Sequence, residues 1–381
     1  MASSTPASPL SPSPEAPLLL TGLTTAQIEE FVAALGLPRY RGRQVADWIY
    51  RRNAGSFEEM TDLPRALRHQ LAAVASVGRP EVVARTVDAD GTTKYLVRLG
   101  DGQTVECVWL PYREWSSVCL STQVGCPMAC AFCATGRGGF ARNLSAGEIV
   151  AQFLLARAHA PCPVTHAVFM GMGEPLLNTS AVLQALHLLN SECGIGARNL
   201  TLSTVGIVPG IQRLAREKLQ INLALSLHAP DDETRARFMP VAQHFPLPVV
   251  LAALRDYTAA THRRVTLEYL LIAGVNDSPA HADRLADLVL GKKEEGGPLL
   301  AVVNLIPYNE TEARFRRPSE EGIRRFMARL KQRGVAVTRR LERGETIAAA
   351  CGQLRREAAS DAPGARPRRS PRRRGTAVAR T

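Results

Sequence analysis

The chain lacks any apolar stretch approaching the roughly 20 residues that a membrane-spanning helix requires, so no membrane association is expected. It also has few cysteines: eight among 381 residues make no disulfide scaffold, and no signal-peptide pattern precedes them. A reducing compartment, the cytoplasm, is therefore expected. Residues 1–17 are rich in Ser and Pro yet contain no Lys or Arg, which argues against an organelle transit segment and for a disordered leader. Acidic side chains are outnumbered, 35 against 47 basic ones, for a net charge of +12. Residues 358–381 supply half of that excess, with seven Arg against the single acid Asp361. The remaining body is still basic, as a polyanion partner would select, although any soluble basic protein could show the same balance.

What stands out is the spacing of three cysteines. Cys126, Cys130 and Cys133 form a C-x3-C-x2-C triplet on a loop that follows an apolar, strand-like run. Soft thiolates held this close suit an iron–sulfur cluster or zinc. A closed structural zinc site takes four protein ligands, and no fourth Cys or His lies nearby in a matching pattern. Three ligands on a four-iron cluster leave one iron free to bind another molecule.

Around the triplet the chain divides into five parts. A leader covers residues 1–17 and a small helical module residues 18–78. A β-meander covers 79–111, the main body 112–354, and a basic tail 355–381. In the module, Thr24 and Gln27 form a capping box for a helix running to Leu35. Further helices are expected over Arg43–Arg52 and Pro64–Val74. The many Arg residues around them suit an RNA backbone, or simply a solvated surface. Three strands follow, Val82–Val87, Lys94–Leu99 and Thr104–Leu110. Glu106 lies inside the last, where burial would be costly unless the carboxylate is partnered or has a task; strand alternation could instead turn it to solvent. From Val118 onward six strands alternate with helices, the signature of an α/β fold with a parallel sheet.

Ligand sites in such sheets collect at the carboxyl ends of strands, and candidate residues fall there. Gly171-Met-Gly173-Glu174-Pro175 ends the second strand of the alternating region, with glycines that permit close backbone approach and a carboxylate able to hold an ammonium group. Ser203, the run Ser226-Leu227-His228, and Asn309 end later strands. Hydroxyls, an imidazole and an amide in one layer could hydrogen-bond a single nucleoside.

The triplet, with Phe132 before its last cysteine, resembles that of radical S-adenosylmethionine enzymes. Three longer words narrow the resemblance: Cys119-x-Ser-x-Gln-x-Gly-Cys126, Gly171-Met-Gly-Glu-Pro-Leu-x-Asn178, and Gly344-x-x-Ile-x-Ala-Ala-Cys351-Gly-Gln-Leu354. Together they are similar to the RlmN/Cfr family of RNA methyltransferases, over about Leu18 to Leu354. The resemblance implies a partial (β/α)6 barrel and one [4Fe-4S] cluster on Cys126, Cys130 and Cys133. It implies S-adenosylmethionine at Gly173, Glu174, Ser203, Ser226, Leu227, His228 and Asn309, with two molecules consumed per turnover.

It further implies that a methyl group passes first to Cys351. A hydrogen is then abstracted from that S-methyl group, and the thiomethylene radical adds to carbon 2 of an adenine. Glu106 matches the family's proton acceptor, with Cys119 a rival for that step. Attack by Cys119 on Cys351 then releases methylated RNA and leaves a disulfide. The implied substrates are 23S ribosomal RNA in the peptidyl-transferase region and tRNA at the adenosine 3′ of the anticodon. An external electron donor such as flavodoxin and a monomeric state are expected. Two alternatives stay open: methylation of carbon 8 of the same ribosomal adenosine, and a non-catalytic iron–sulfur RNA-binding protein. Trp109–Trp115 departs from the charged loop usual at that place in the family. Cys107, Cys162 and Cys193 have no counterpart in its pattern and read as packing residues.

Overall fold

A computed structural model describes residues 17–291, 297–309, 315–340, 343–344, 346–349 and 352–354. Residues 1–16 of the leader, the basic tail and Cys351 lie outside the described residues. No helix among those described is long and apolar enough to cross a membrane.

The N-terminal module contains strand β1 (Leu18–Leu19), helices α1 (Thr25–Ala34), α2 (Arg39–Tyr50) and α3 (Arg65–Val74), and strand β2 (Ala75–Ser76), which pairs with β1. The Thr24–Gln27 capping box forms as its residue types dictate. Helix α2 begins four residues before the expected Arg43, because Gly42 lies within it rather than before it. There α1 and α2 touch: a Cβ on Gly42 would lie 2.5 Å from the Glu29 Cα, so only glycine fits. The module shares one continuous hydrophobic core with the rest of the chain. Tyr50 donates its hydroxyl to Leu20 O (3.1 Å), while Arg157 donates to Tyr50 O (2.5 Å).

The meander is β3 (Glu81–Val87), β4 (Thr93–Arg98) and β5 (Thr104–Pro111). Its strands continue directly into the main sheet, since β5 pairs antiparallel with β6 (Ser116–Cys119). A short hairpin, β7 (Gln123–Gly125) with β8 (Phe140–Asn143), encloses the cysteine loop and helix α4 (Ala134–Arg137). Then come α5 (Ala146–His159), β9 (Val164–Phe169), α6 (Thr179–Ser191) and β10 (Leu200–Thr204). They are followed by α7 (Val208–Arg216), β11 (Asn222–Ser226), α8 (Asp232–Ala236), α9 (Leu247–Thr261) and β12 (Val265–Leu271). The series ends with α10 (Pro279–Leu290), β13 (Ala301–Pro307), α11 (Glu320–Gln332) and β14 (Val337–Arg339).

The ten-stranded sheet has the order β14-β13-β12-β11-β10-β9-β6-β5-β4-β3. From β6 to β14 all pairings are parallel, with a helix after each strand up to β13; from β6 to β3 they are antiparallel. The two outer strands do not pair with each other, so the parallel part is an open, partial barrel. The expected α/β architecture is present, with six strand–helix units and one further edge strand, β14, which is three residues long and carries too little alternation to be read in advance.

Candidate active site

One cavity opens over the carboxyl ends of the parallel strands. Cys119, Cys126, Cys130, Cys133, Gly173 and Glu174 line it, as do Ser203, Ser226, His228 and Asn309. Leu227 does not: its side chain is fully buried in the core, and only its backbone takes part locally. Its carbonyl accepts from Arg235 Nε at 3.2 Å.

The cysteine loop is held by its own backbone. Cys126 N–H donates to Gly139 O (2.8 Å), Ala131 N–H to Phe238 O (2.9 Å) and Cys133 N–H to Cys130 O (3.1 Å). Gly136 backs the loop so closely that a Cβ there would lie 2.9 Å from Cys130 N. Burial pushes the Cys126 thiol up to about 12 and raises Cys130 as well. Thiolates at such positions need a positive charge beside them, which a metal supplies. Three soft sulfurs lining one largely apolar cavity are the donor type that an iron–sulfur cluster takes.

Glu174 is 2 % exposed and braced by three donors. Leu176 N–H (3.0 Å) and Thr204 Oγ1 (2.7 Å) donate to Oε1, and Val205 N–H (2.8 Å) to Oε2. Burial outweighs these bonds and pushes the carboxyl up to about 7. Glu174 N–H in turn donates to Gln123 Oε1 at 2.8 Å. Gly173 has φ +101°, and a Cβ there would come within 2.6 Å of the Gln123 Cβ, so the residue before the carboxylate must be glycine.

In the next layer the Ser203 and Ser226 hydroxyls lie 3.4 Å apart on neighbouring strand ends. His228 adopts a left-handed backbone, φ +61°. Its Nδ1 accepts from Leu270 N–H (3.1 Å), and burial, aided by the charge of Arg235, pushes the imidazole down to about 3. The ring is thus neutral with its proton on Nε2, a tautomer assigned from that bond, and Nε2–H is a donor. Phe132 meets the same ring edge-on, 5.1 Å between centroids at 89°, tying the cysteine loop to this layer.

Glu106 does not line the cavity. It is 4 % exposed, so the solvent-facing alternative does not hold, and its Oε1 pairs with Lys94 Nζ at 2.8 Å. It shares a sheet face with Val108, which stands directly opposite Cys119 on the neighbouring strand. Cys107, on the other face, is fully buried and its thiol is pushed well up by burial. Cys162 and Cys193 are half-buried against the core. Cys351 lies outside the described residues, but Ala349 and Gly352 on either side of it line the cavity.

Several supporting residues escaped the sequence reading. Asn276 is fully buried: its Nδ2 donates to His228 O (2.7 Å) and Leu270 O (2.6 Å), and its Oδ1 accepts from Ile272 N–H (2.8 Å). The only prior signal was an Asn-Asp pair after an apolar strand, which reads as a turn. Glu268, in β12, also faces the cavity, held by Asn304 Nδ2 (2.9 Å) with Arg340 3.8 Å away; burial raises its carboxyl.

Residues 19–77 match the family described as the Ribosomal RNA large subunit methyltransferase N-terminal domain, and residues 120–286 match the Radical SAM superfamily. A "Probable dual-specificity RNA methyltransferase RlmN" of Thermosynechococcus vestitus is 48% identical over 339 residues, 89% of this chain and 98% of that protein. The protein of that name from Gloeobacter violaceus is 48% identical over 342 residues, 90% of this chain and 96% of its own. A crystal structure described as a radical SAM methyltransferase from Sphaerobacter thermophilus superposes with a TM-score of 0.85 at 47% identity, covering 89% of this chain and 99% of that one. With residues 19–77 and 120–286 matched, a relative 48% identical over 89% of the chain, and a cavity that gathers the cysteine triplet and the strand-end layer, the chain belongs to the RlmN family of radical S-adenosylmethionine methyltransferases.

Proposed function

We propose that this enzyme methylates carbon 2 of adenosine in 23S ribosomal RNA and in tRNA 3′ of the anticodon, through an S-methyl group carried on Cys351. The observation that carries the reading is one cavity shared by Cys119, the cysteine triplet, Glu174, Ala349 and Gly352, the last two lying on either side of Cys351 in sequence. The curated relatives' names support RNA as the substrate class.

Cys126, Cys130 and Cys133 would hold a [4Fe-4S] cluster, which when bound with S-adenosylmethionine supplies the one-electron cleavage that yields a hydrogen-abstracting carbon radical. Glu174, already aligned by its three donors, would hold the amino group of the cofactor. Ser203, Ser226, His228 Nε2–H and Asn309 offer hydrogen bonds to its carboxylate, ribose and base. A base takes the proton from the methylated ring carbon: Glu106, the acceptor the family resemblance implies, stands outside the cavity, whereas Cys119, its rival, lines it. Cys119 Sγ attacks the Cys351 sulfur, forming the S–S bond as the bond from Cys351 to the product carbon breaks; that carbon takes up a proton to complete the methyl group, and the one electron left from the radical adduct returns to the external redox partner. The target base must leave its stack to enter, as in other base-modifying enzymes.

The test is mass spectrometry of nucleosides from ribosomal RNA and tRNA incubated anaerobically with reconstituted enzyme, reductant and S-adenosylmethionine. 2-Methyladenosine in both RNAs is the expected result. 8-Methyladenosine would reassign the carbon, and cofactor cleavage with no methylated adenosine would overturn the substrate.

A further inference from the structure

The hairpin of β3 and β4 does more than extend the sheet. Thr346 Oγ1 donates to Asp88 Oδ1 at 2.7 Å, and Arg343 lies 3.9 Å from Asp90 Oδ2 while stacking 4.6 Å over the Tyr112 ring. Gly344 has φ +65°, and a Cβ there would stand 2.8 Å from Thr92 Cγ2. Lys94 Nζ reaches Ala348 O at 3.4 Å, on a residue that itself holds a left-handed φ of +51°. All of these contacts fall on the segment leading into Cys351. Beyond Cys351 the chain is strapped to the helix after the cysteine triplet: Ala134 N–H donates to Gly352 O (2.8 Å) and Thr135 Oγ1 to Leu354 O (2.6 Å).

Lys94 is the residue that joins this dock to the sheet chemistry. The same ammonium that reaches Ala348 O pairs with Glu106 at 2.8 Å. In register, Lys94 stands opposite Val108, and Val108 opposite Cys119, so Lys94 and Cys119 lie in one row across three strands. An ammonium has three donors and can serve both acceptors at once. A lysine that only neutralised a buried carboxylate would have no need to reach the neighbouring main chain.

We propose that Lys94 is a positioning residue that holds the segment carrying Cys351 and the carboxylate of Glu106 in a fixed mutual register. The inference rests on the reading of those two residues given above. It concerns where the segment sits, which can be read without turnover.

The experiment compares hydrogen exchange in residues 343–349 of the full-length protein, and the partition of a turnover reaction between methylated RNA and covalent protein–RNA adduct. In Lys94→Met, which keeps the aliphatic stem, exchange in that segment should rise about fivefold, as expected when one hydrogen bond is lost locally. The adduct should accumulate at the expense of product. Lys94→Arg should restore both. The double variant Lys94→Met with Glu106→Gln separates docking from neutralisation, because no carboxylate then remains to be paired. Faster exchange persisting in the double variant supports the dock. Exchange restored to the wild-type rate there, or unchanged in Lys94→Met, overturns it. Should the RNA product prove not to be 2-methyladenosine while the exchange effect stands, the reading of function fails and the dock survives.

Discussion

Asn276 offers the sharpest test of how the cavity is supported. Its side chain is completely buried and satisfies three backbone groups at 2.6, 2.7 and 2.8 Å, of which one belongs to His228. Asn276→Ala leaves two carbonyls and one N–H without that partner. Each unsatisfied buried group costs about 1–3 kcal/mol, and some relaxation or water entry recovers part of it. The net loss should be about 3–5 kcal/mol, a large share of the 5–15 kcal/mol typical of a folded domain. Asn276→Asp is the more informative variant, being nearly isosteric. Its second oxygen would face the two carbonyls that now accept from Nδ2, so the folded state favours the protonated acid and raises its pKa. Stability should then be present at low pH and fall as pH rises past the ordinary carboxylate range. Urea unfolding followed by circular dichroism, at several pH values, reads both effects; equilibrium dialysis with S-adenosylmethionine reads the consequence for His228. Were Asn276→Ala to unfold within about 1 kcal/mol of wild type with unchanged cofactor affinity, the network would not support the site as argued.

Other outcomes follow from the same geometry. Glu174, pushed up from the ordinary 4.5 to about 7, contributes stability that is present below 4.5 and lost as pH rises through 7. Unfolding of metal-free protein should therefore show wild type losing up to about 3 kcal/mol relative to Glu174→Gln across that window, and a pH-independent difference would contradict it. Gly173→Ala, with φ +101° and the Gln123 Cβ 2.6 Å from any added methyl, should displace Glu174 and weaken S-adenosylmethionine binding at least tenfold by dialysis, a loss of about 1.4 kcal/mol. Cys119→Ala should trap protein on RNA, visible as a shifted band on denaturing gels; recovery of free, unmethylated RNA would count against its resolving role. Cys351→Ala should retain cofactor cleavage but yield no methylated nucleoside.

Much of this architecture was legible in residue order. The alternation from Val118 onward announced the parallel sheet because each strand is a short apolar run between turn residues, and these strands pair with near neighbours in sequence. The capping box at Thr24 was equally plain, since its chemistry is local. Contacts between distant segments were not. Nothing in the meander's own pattern says that β5 joins β6, because strand pairing is decided by what remains to be buried elsewhere. The start of α2 was misread because Gly42 is unfavourable to a helix by propensity but required where α1 presses on it. Glu106 was recognisable as a costly burial, whereas Lys94, twelve residues earlier on the neighbouring strand, gave no sign of being its partner. Asn276 looked like an ordinary turn residue, since its three hydrogen bonds depend on where β12 and the His228 turn finish.

The backbone bonds that hold the cysteine loop have a consequence for the life of the enzyme. Cys126 is fixed to Gly139, Ala131 to Phe238 and Cys133 to Cys130 by main-chain groups alone, with Gly136 packed behind. None of these ties runs through a sulfur, so the three thiols stay gathered whether or not iron is bonded to them. Loss of the proposed cluster to oxygen would then cost inorganic material rather than shape. A cluster lost from the proposed site would then be replaceable without unfolding, so long as the three thiols are kept reduced.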